Sequence, residues 1–334
     1  MLFRSLILFI GAFVVIKFAG RIVKPLESMT KRITGLNGSD LQFMMSDEYR
    51  TNDEIEALAE SFAELSGRTV QYISDIQRIT AEKERIGAEL SLATSIQSGM
   101  LPNMFPAFPE RPEFDIYASM DPAKEVGGDF YDFFLIDDDH LAMVIADVSG
   151  KGVPAALFMM ASKILINDHA LMGGTPAEIL QRVNKQICSN NDANMFVTVW
   201  LGILEISTGK LTAANAGHEY PAVNLNGRFE LIKDKHGLAV GVMDIAKYKD
   251  YEITLKKGDS IFVYTDGVAE ATDANEQLFG TERTIDALNS YPAASPENIL
   301  KNVRASVDEF VKEAPQFDDL TMLCIRYYGT GEEK

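Results

Sequence analysis

Four short acidic segments, far apart in the chain, each sit at the edge of an apolar, strand-like run. They are Gly127-Gly128-Asp129-Phe130-Tyr131-Asp132, Asp147-Val148-Ser149-Gly150-Lys151-Gly152, Thr265-Asp266-Gly267 and Asp318-Asp319. A fold that aligns these strand ends delivers several carboxylates to one point. Crowded carboxylates repel, so such a point calls for cations, and oxygen-only ligands favour hard ions, Mg²⁺ or Mn²⁺, over zinc. Taken singly, each Asp suits a turn or a cap equally well. The set as a whole points to a metal enzyme.

At 334 residues the chain has room for two or more units, and its apolar fraction of 46% supports a large core. A formal charge of −18 repels a phosphate backbone, which argues against nucleic-acid binding. Cys188 and Cys324 stand alone in apolar settings without CxxC spacing. They read as reduced core residues of a cytosolic domain.

The N-terminus is written differently. Ser5 to Ile16 is uncharged and rich in Leu, Ile, Phe and Val. Extended over Leu2–Gly20, with Arg4 and Lys17 snorkelling, a helix there would reach ~28 Å, enough to cross a bilayer. A signal-peptide core is the alternative. Against cleavage, the helical pattern continues through Arg21 and Lys24 without a small-x-small site. We read a single-pass anchor in the cell inner membrane; Arg21, Lys24, Lys31 and Arg32 place the downstream chain in the cytoplasm. Starting so close to Met1, the segment either acts alone or belongs to a piece of a longer receptor.

Ile22, Leu26, Met29, Ile33 and Leu36 then repeat at helical spacing until Gly35, Asn37, Gly38, Ser39 and Asp40 interrupt them. A second helix opens at Asn52-Asp53-Glu54, an acidic cap. From there one heptad register carries Leu58, Leu65, Tyr72, Ile79, Ile86, Ala93 and Met100 at one seam position. Ile55, Phe62, Thr69, Ile76, Lys83, Leu90 and Gln97 take the other, and Pro102 ends the run. Such a helix would measure ~69 Å, and a parallel homodimeric coiled coil is the expected state. Lys83 and Gln97 are expected to weaken the seam toward its end. The alternative is a helix packed on its own catalytic domain. Helix, connector and second helix after a membrane segment, with Pro25-Leu26 and Asp53-Glu54 as landmarks, resemble a HAMP domain. That resemblance implies a four-helix dimer which passes on a helix shift or rotation.

Beyond Pro102 the pattern turns to strands and helices. Strands are expected over Asp115–Met120, Tyr131–Ile136, His140–Asp147, Phe196–Ile206, Lys210–Asn215, Tyr251–Leu255, Ser260–Thr265 and Leu320–Tyr327. Helices are expected over Val153–His169, Thr175–Cys188, Thr281–Asn289 and Pro296–Glu313. Strands grouped around helices, without strict alternation, argue an α+β sandwich.

Five motifs, in order, carry a family resemblance. Glu125-Val126-Gly127-Gly128-Asp129-Phe130-Tyr131-Asp132 and Asp147-Val148-Ser149-Gly150-Lys151-Gly152 come first. Asn215-Ala216-Gly217-His218, Tyr264-Thr265-Asp266-Gly267-Val268 and Asp318-Asp319-Leu320-Thr321 complete the set. Together they resemble the SpoIIE/RsbU-like phosphatases of the PPM (protein phosphatase 2C-type) superfamily, over about Leu92 to Tyr328. The resemblance implies an α-β-β-α sandwich, two Mn²⁺ or Mg²⁺ ions and hydrolysis of phosphoserine or phosphothreonine on a signalling protein. The usual substrate of that family is a phosphorylated anti-sigma-factor antagonist.

Asp147, with a flexible turn behind it, could bridge two ions while the Val148 carbonyl also coordinates. By resemblance Asp129 serves one ion, and Asp266 and Asp318 the other, with hydroxide held between two metals as nucleophile. Asp319 joins the ligand set or stands just behind it. Asp132 orients a water or caps its strand. Lys124 is placed where relatives outside the bacterial branch carry a phosphate-binding Arg, or is a plain surface lysine. His218 reads as a structural hydrogen-bonding residue rather than a general acid, and Glu219-Tyr220-Pro221 departs from the Pro-Pro pair usual there.

The expected organisation is a transmembrane helix over 1–20, a HAMP domain over 21–68, a coiled-coil helix over 69–101 and a PPM-type phosphatase domain over 102–330. Two rivals exist. A diguanylate cyclase, suggested by Gly127-Gly128-Asp129, would need an acid where Phe130 stands and leaves the later Asp motifs idle. A catalytically inactive phosphoprotein-binding scaffold would have no use for a complete carboxylate set.

Overall fold

The computed structural model describes residues 2–37, 40–233 and 236–330. Met1, Gly38 and Ser39, which the sequence assigns to the anchor and the connector, lie outside the described residues. The chain separates into two compact units, Met1–Ala88 and Glu89–Lys334.

In the first unit, α1 (Leu2–Phe18) passes through a π-helical turn at Ala19–Val23 into α2 (Lys24–Gly35). Pro25 explains the widened turn: it lacks an N–H, and its ring would collide with the Arg21 carbonyl in an unbroken helix. Lys24 N donates to Ala19 O instead. Phe3–Gly35 is long and apolar enough to cross a membrane, with a mean hydropathy of 2.3 over its best window. Every large apolar side chain from Phe3 to Phe18 is exposed.

Beyond α2, Met29 packs with Phe43, Tyr49 and Ala59 in a small core flanked by Ile33, Leu36 and Phe62. Phe43 stacks on Tyr49 at 5.5 Å between ring centroids. Its amide donates to Ser66 Oγ at 3.0 Å. The cap of α3 (Glu54–Met100) forms where the sequence placed it, with Asp53 Oδ1 accepting from Ile55 N at 3.0 Å. The Thr51 hydroxyl and that amide hold the Asp53 carboxyl below its usual range. Along α3, Leu58, Leu65, Tyr72, Ile76, Ile79 and Ile86 are all exposed.

The second unit is built on two five-stranded antiparallel sheets. One runs β1 (Phe114–Asp121), β10 (Leu320–Tyr327), β9 (Ser260–Tyr264), β6 (Ala222–Leu225) and β7 (Arg228–Leu231). The other runs β2 (Phe130–Leu135), β3 (His140–Val148), β4 (Val197–Glu205), β5 (Lys210–Ala216) and β8 (Tyr251–Thr254). Period-two alternation sorts the side chains. On β10, Leu323 and Ile325 enter the core shared with the second sheet. Met322 and Cys324 turn the other way, under α7 (Gly280–Ser290) and α8 (Pro296–Val311). Both faces are covered, so the strand reads as one buried run. The opposite sheet is covered by α4 (Val153–Leu171) and α5 (Pro176–Cys188).

The α+β sandwich expected from the sequence is what forms. Thr175 is the cap of α5 rather than its first residue: its hydroxyl accepts from Glu178 N, and the Glu178 carboxylate accepts from Thr175 N. The hairpin of β6 and β7 is absent from the sequence-based expectation. Asn226 and Gly227 form its turn with φ of 61° and 88°, and an Asn-Gly pair between short apolar runs is the signal that could have shown it.

Candidate metal centre

The sandwich brings the acidic segments to one end of its strands. Asp129 precedes β2, Asp147 lies next to the end of β3, and Asp266 comes after β9 at the start of the short α6 (Asp266–Ala269). Asp318 and Asp319 lead into β10. Three loops interlock there. A Cβ on Gly267 would stand 2.0 Å from the Asp319 carbonyl oxygen, and one on Gly127 would stand 2.4 Å from Asp319 Oδ2. Only glycine allows either approach.

Asp129 is buried, and its Oδ2 accepts from Thr265 Oγ1 at 2.6 Å. Burial and the charge of Asp147 push the Asp129 carboxyl well above its usual range. Burial, then Asp266, pushes Asp147 up to about 7, although it shares a hydrogen bond with Asp129. Burial, then Asp318, pushes Asp266 up to about 6. Each carboxyl therefore feels its neighbours as uncompensated negative charge, the condition that cations relieve.

Among the described residues, no three His, Cys, Asp or Glu side chains are gathered into a ready-made cation cage. The carboxylates lean on protein groups instead. Still, the donors are all oxygens, they come from separate strand ends, and they raise one another's pKa. By charge and donor chemistry they fit hard divalent ions. The Val148 carbonyl lies in the same wall, 3.0 Å from where a Cβ on Gly128 would be.

The structure gives several of the expected residues specific partners. Asp319, expected in the ligand set or just behind it, has an Oδ1 that accepts from Ala123 N at 2.8 Å. Its Oδ2 accepts from Gly128 N at 2.8 Å and Asp129 N at 3.4 Å. It braces the loop that carries Asp129. Asp132 turns away from the cluster to pair with Lys163 Nζ of α4 at 2.6 Å, and burial outweighs that pairing to raise its pKa. Lys124 is exposed on its loop. The cation that the structure sets on the carboxylates is Lys151, whose Nζ lies 2.8 Å from Asp318 Oδ2 and 4.1 Å above the Phe317 ring. From the sequence alone, Lys151 has no role of its own. Its place in the acidic turn after Asp147 is the available clue.

His218 is buried. Its Nδ1 lies 2.9 Å from Thr198 Oγ1, and its amide donates to Asn215 Oδ1 at 2.8 Å. Burial lowers its pKa to about 3, so the ring stays neutral at any ordinary pH. Gln97, expected in a coil seam, is instead buried with its side-chain amide against the Gly127 backbone.

Residues 137–328 match the profile of Stage II sporulation protein E (SpoIIE). The chain belongs to the SpoIIE family. Within it, the chain is 31% identical over 337 residues to Protein IcfG of Synechocystis sp., covering 90% of this chain and 51% of that one. It is 29% identical over 253 residues to phosphoserine phosphatase RsbU of Bacillus subtilis, covering 75% and 73% respectively. Among solved structures it resembles the SiaA-PP2C domain of Pseudomonas aeruginosa with a TM-score of 0.66 and 25% identity. That match covers 74% of this chain and 99% of the other. The second unit is thus a domain of the SpoIIE family with a PP2C-type fold. The chain spans about half the length of Protein IcfG.

Proposed function

We propose that the protein is a membrane-anchored, metal-dependent phosphatase that removes phosphate from serine or threonine of a signalling protein, with an anti-sigma-factor antagonist as substrate. The observation that carries this reading is the convergence of Asp129, Asp147 and Asp266 from three separate strand ends, each with a raised pKa. Similarity to RsbU, a phosphoserine phosphatase, supports the substrate class.

In this reading Asp129, Asp147, Asp266 and Asp318, with the Val148 carbonyl, would hold Mn²⁺ or Mg²⁺. Bound there, such ions would supply Lewis-acid activation of water and charge neutralisation for the phosphoryl group. The phosphoryl group passes to water, leaving the serine or threonine hydroxyl and inorganic phosphate. Thr265 and Asp319 keep the Asp129 loop in place. Lys151, whose Nζ lies 2.8 Å from Asp318 Oδ2, would meet the phosphate as a point charge, and Lys124 is the second candidate for that contact.

The N-terminal unit supplies location and control. α1 is the membrane segment, α2 and the start of α3 form the HAMP helices, and the exposed stripe on α3 is the seam of a parallel dimer.

Phosphate release from a phosphoserine protein, measured for the full chain with Mn²⁺, tests the reading. Asp147→Asn and Asp266→Asn should each lower turnover about a hundredfold or more, since several kcal/mol of charge stabilisation is lost. Circular dichroism should stay unchanged. Wild-type turnover in both variants would refute the two-ion mechanism. A wild-type chain that binds the phosphoprotein and releases no phosphate would be a scaffold.

A further inference from the structure

The last turns of α3 touch the site through one side chain. Gln97 is 5% exposed, while Leu92 and Ile96 beside it are more than half exposed. Its amide meets a single residue twice: Nε2 donates to Gly127 O at 2.7 Å, and Oε1 accepts from Gly127 N at 3.1 Å. One turn earlier, Thr94 Oγ1 lies 2.5 Å from the Glu125 carbonyl oxygen. The loop is therefore gripped from two sides, by α3 at Glu125 and Gly127 and by Asp319 at Gly128 and Asp129. Asp129 lies two residues beyond the Gln97 contact.

We propose that Gln97 is a positioning residue of the phosphatase site: its paired hydrogen bonds to Gly127 set the place of Asp129, and the register of α3 decides whether they form. The proposal rests on the reading of Asp129 as a metal ligand. A matched donor and acceptor fix both the height and the rotation of the helix against the loop. One residue of screw motion moves a helix side chain about 1.5 Å along the axis and ~100° around it. A hydrogen bond tolerates a few tenths of an ångström. The contact is consequently made or lost as a unit, with no intermediate grip. Gln97 also falls in the heptad register of Ile76, which is exposed upstream on the same helix.

Gln97→Met keeps the length of the side chain and removes both hydrogen bonds. In the full, metal-free chain, amide hydrogen exchange at Gly127 and its neighbours should quicken about tenfold or more, with the β3 and β4 amides unchanged. The Mn²⁺ midpoint should rise roughly 10–100-fold, as for loss of an outer partner of a metal ligand. Val303→Ala, in the core under α8, is the control: it lowers the melting temperature and should move neither local exchange at the loop nor the Mn²⁺ midpoint. Exchange at Gly127 that stays at the wild-type rate in Gln97→Met overturns the proposal. So does exchange that quickens evenly through the sandwich, which would make Gln97 a packing residue only. If the wild-type chain binds no Mn²⁺, the metal reading fails, and loop exchange in the metal-free protein still decides the Gln97 contact.

Discussion

Strand β10 and helix α3 are both rich in apolar residues, and they meet opposite fates. On β10 every residue from Leu320 to Tyr327 is buried, because one face meets the second sheet and the other meets α8. On α3 the apolar residues Leu58, Leu65, Tyr72, Ile76 and Ile79 stay exposed. Apolar patterning therefore has two meanings in one chain. On β10 it is satisfied internally, by the second sheet on one face and α8 on the other. In α3 it is left open, which a second helix of the same kind can close.

The sharpest way to break this contrast is to charge the open stripe. Leu65→Asp with Ile79→Asp should weaken self-association about ten-thousandfold or more, since each buried seam side chain is worth roughly 1.5–3 kcal/mol and both helices lose two. Sedimentation should then show monomer, while the melting transition of the catalytic unit stays put. A variant that remains dimeric would show that the stripe is not the seam.

A smaller effect is expected inside the closed unit. Asp319→Ala strips acceptors from the amides of Ala123, Gly128 and Asp129, at a cost of about 3 kcal/mol in total. Thermal melting should fall by roughly 6–12 °C. Asp319→Asn, which keeps one acceptor oxygen, should fall less. Equal melting of wild type and the Ala variant would refute the brace.

The smallest effect is a pH slope. In the folded protein Asp147 and Asp266 titrate near about 7 and about 6, above the ordinary carboxyl value. Their protonated forms thus favour folding at low pH, and that contribution is lost as pH rises through the folded values. With metal chelated, stability should decline from pH 5 to pH 7.5 more than in the Asp147→Asn, Asp266→Asn double variant. Comparing the two cancels the opposite trend of His218, whose lowered pKa contributes stability above its ordinary value and loses it toward acid. Parallel slopes in denaturant titrations would show that the carboxyls do not repel as described.

Much of the catalytic unit was legible because its signals are local. Strand alternation, Thr175-Pro176 before a helix and Asp residues at strand ends each act within a few residues. The roles of Asp319 and Gln97 were not legible. Their partners lie 191 and 30 residues away, and nothing near Asp319 in the sequence tells a metal ligand from a residue that ties down amides. Gln97 misleads for a related reason, since a polar residue at a seam position reads as a flaw in a coil until its partner is seen. Lys151 was missed for the same reason, since its partner Asp318 lies 167 residues away.

The approach of Gly267 to within bare backbone contact of Asp319 bears on how such a centre could be moved. A designer grafting Thr265-Asp266-Gly267 onto another sandwich would find the foreign strand occupying the volume that Gly267 leaves free. The two segments transplant as a matched pair or not at all. Their spacing in the chain can stretch with loop insertions, whereas their spacing in the fold has no slack.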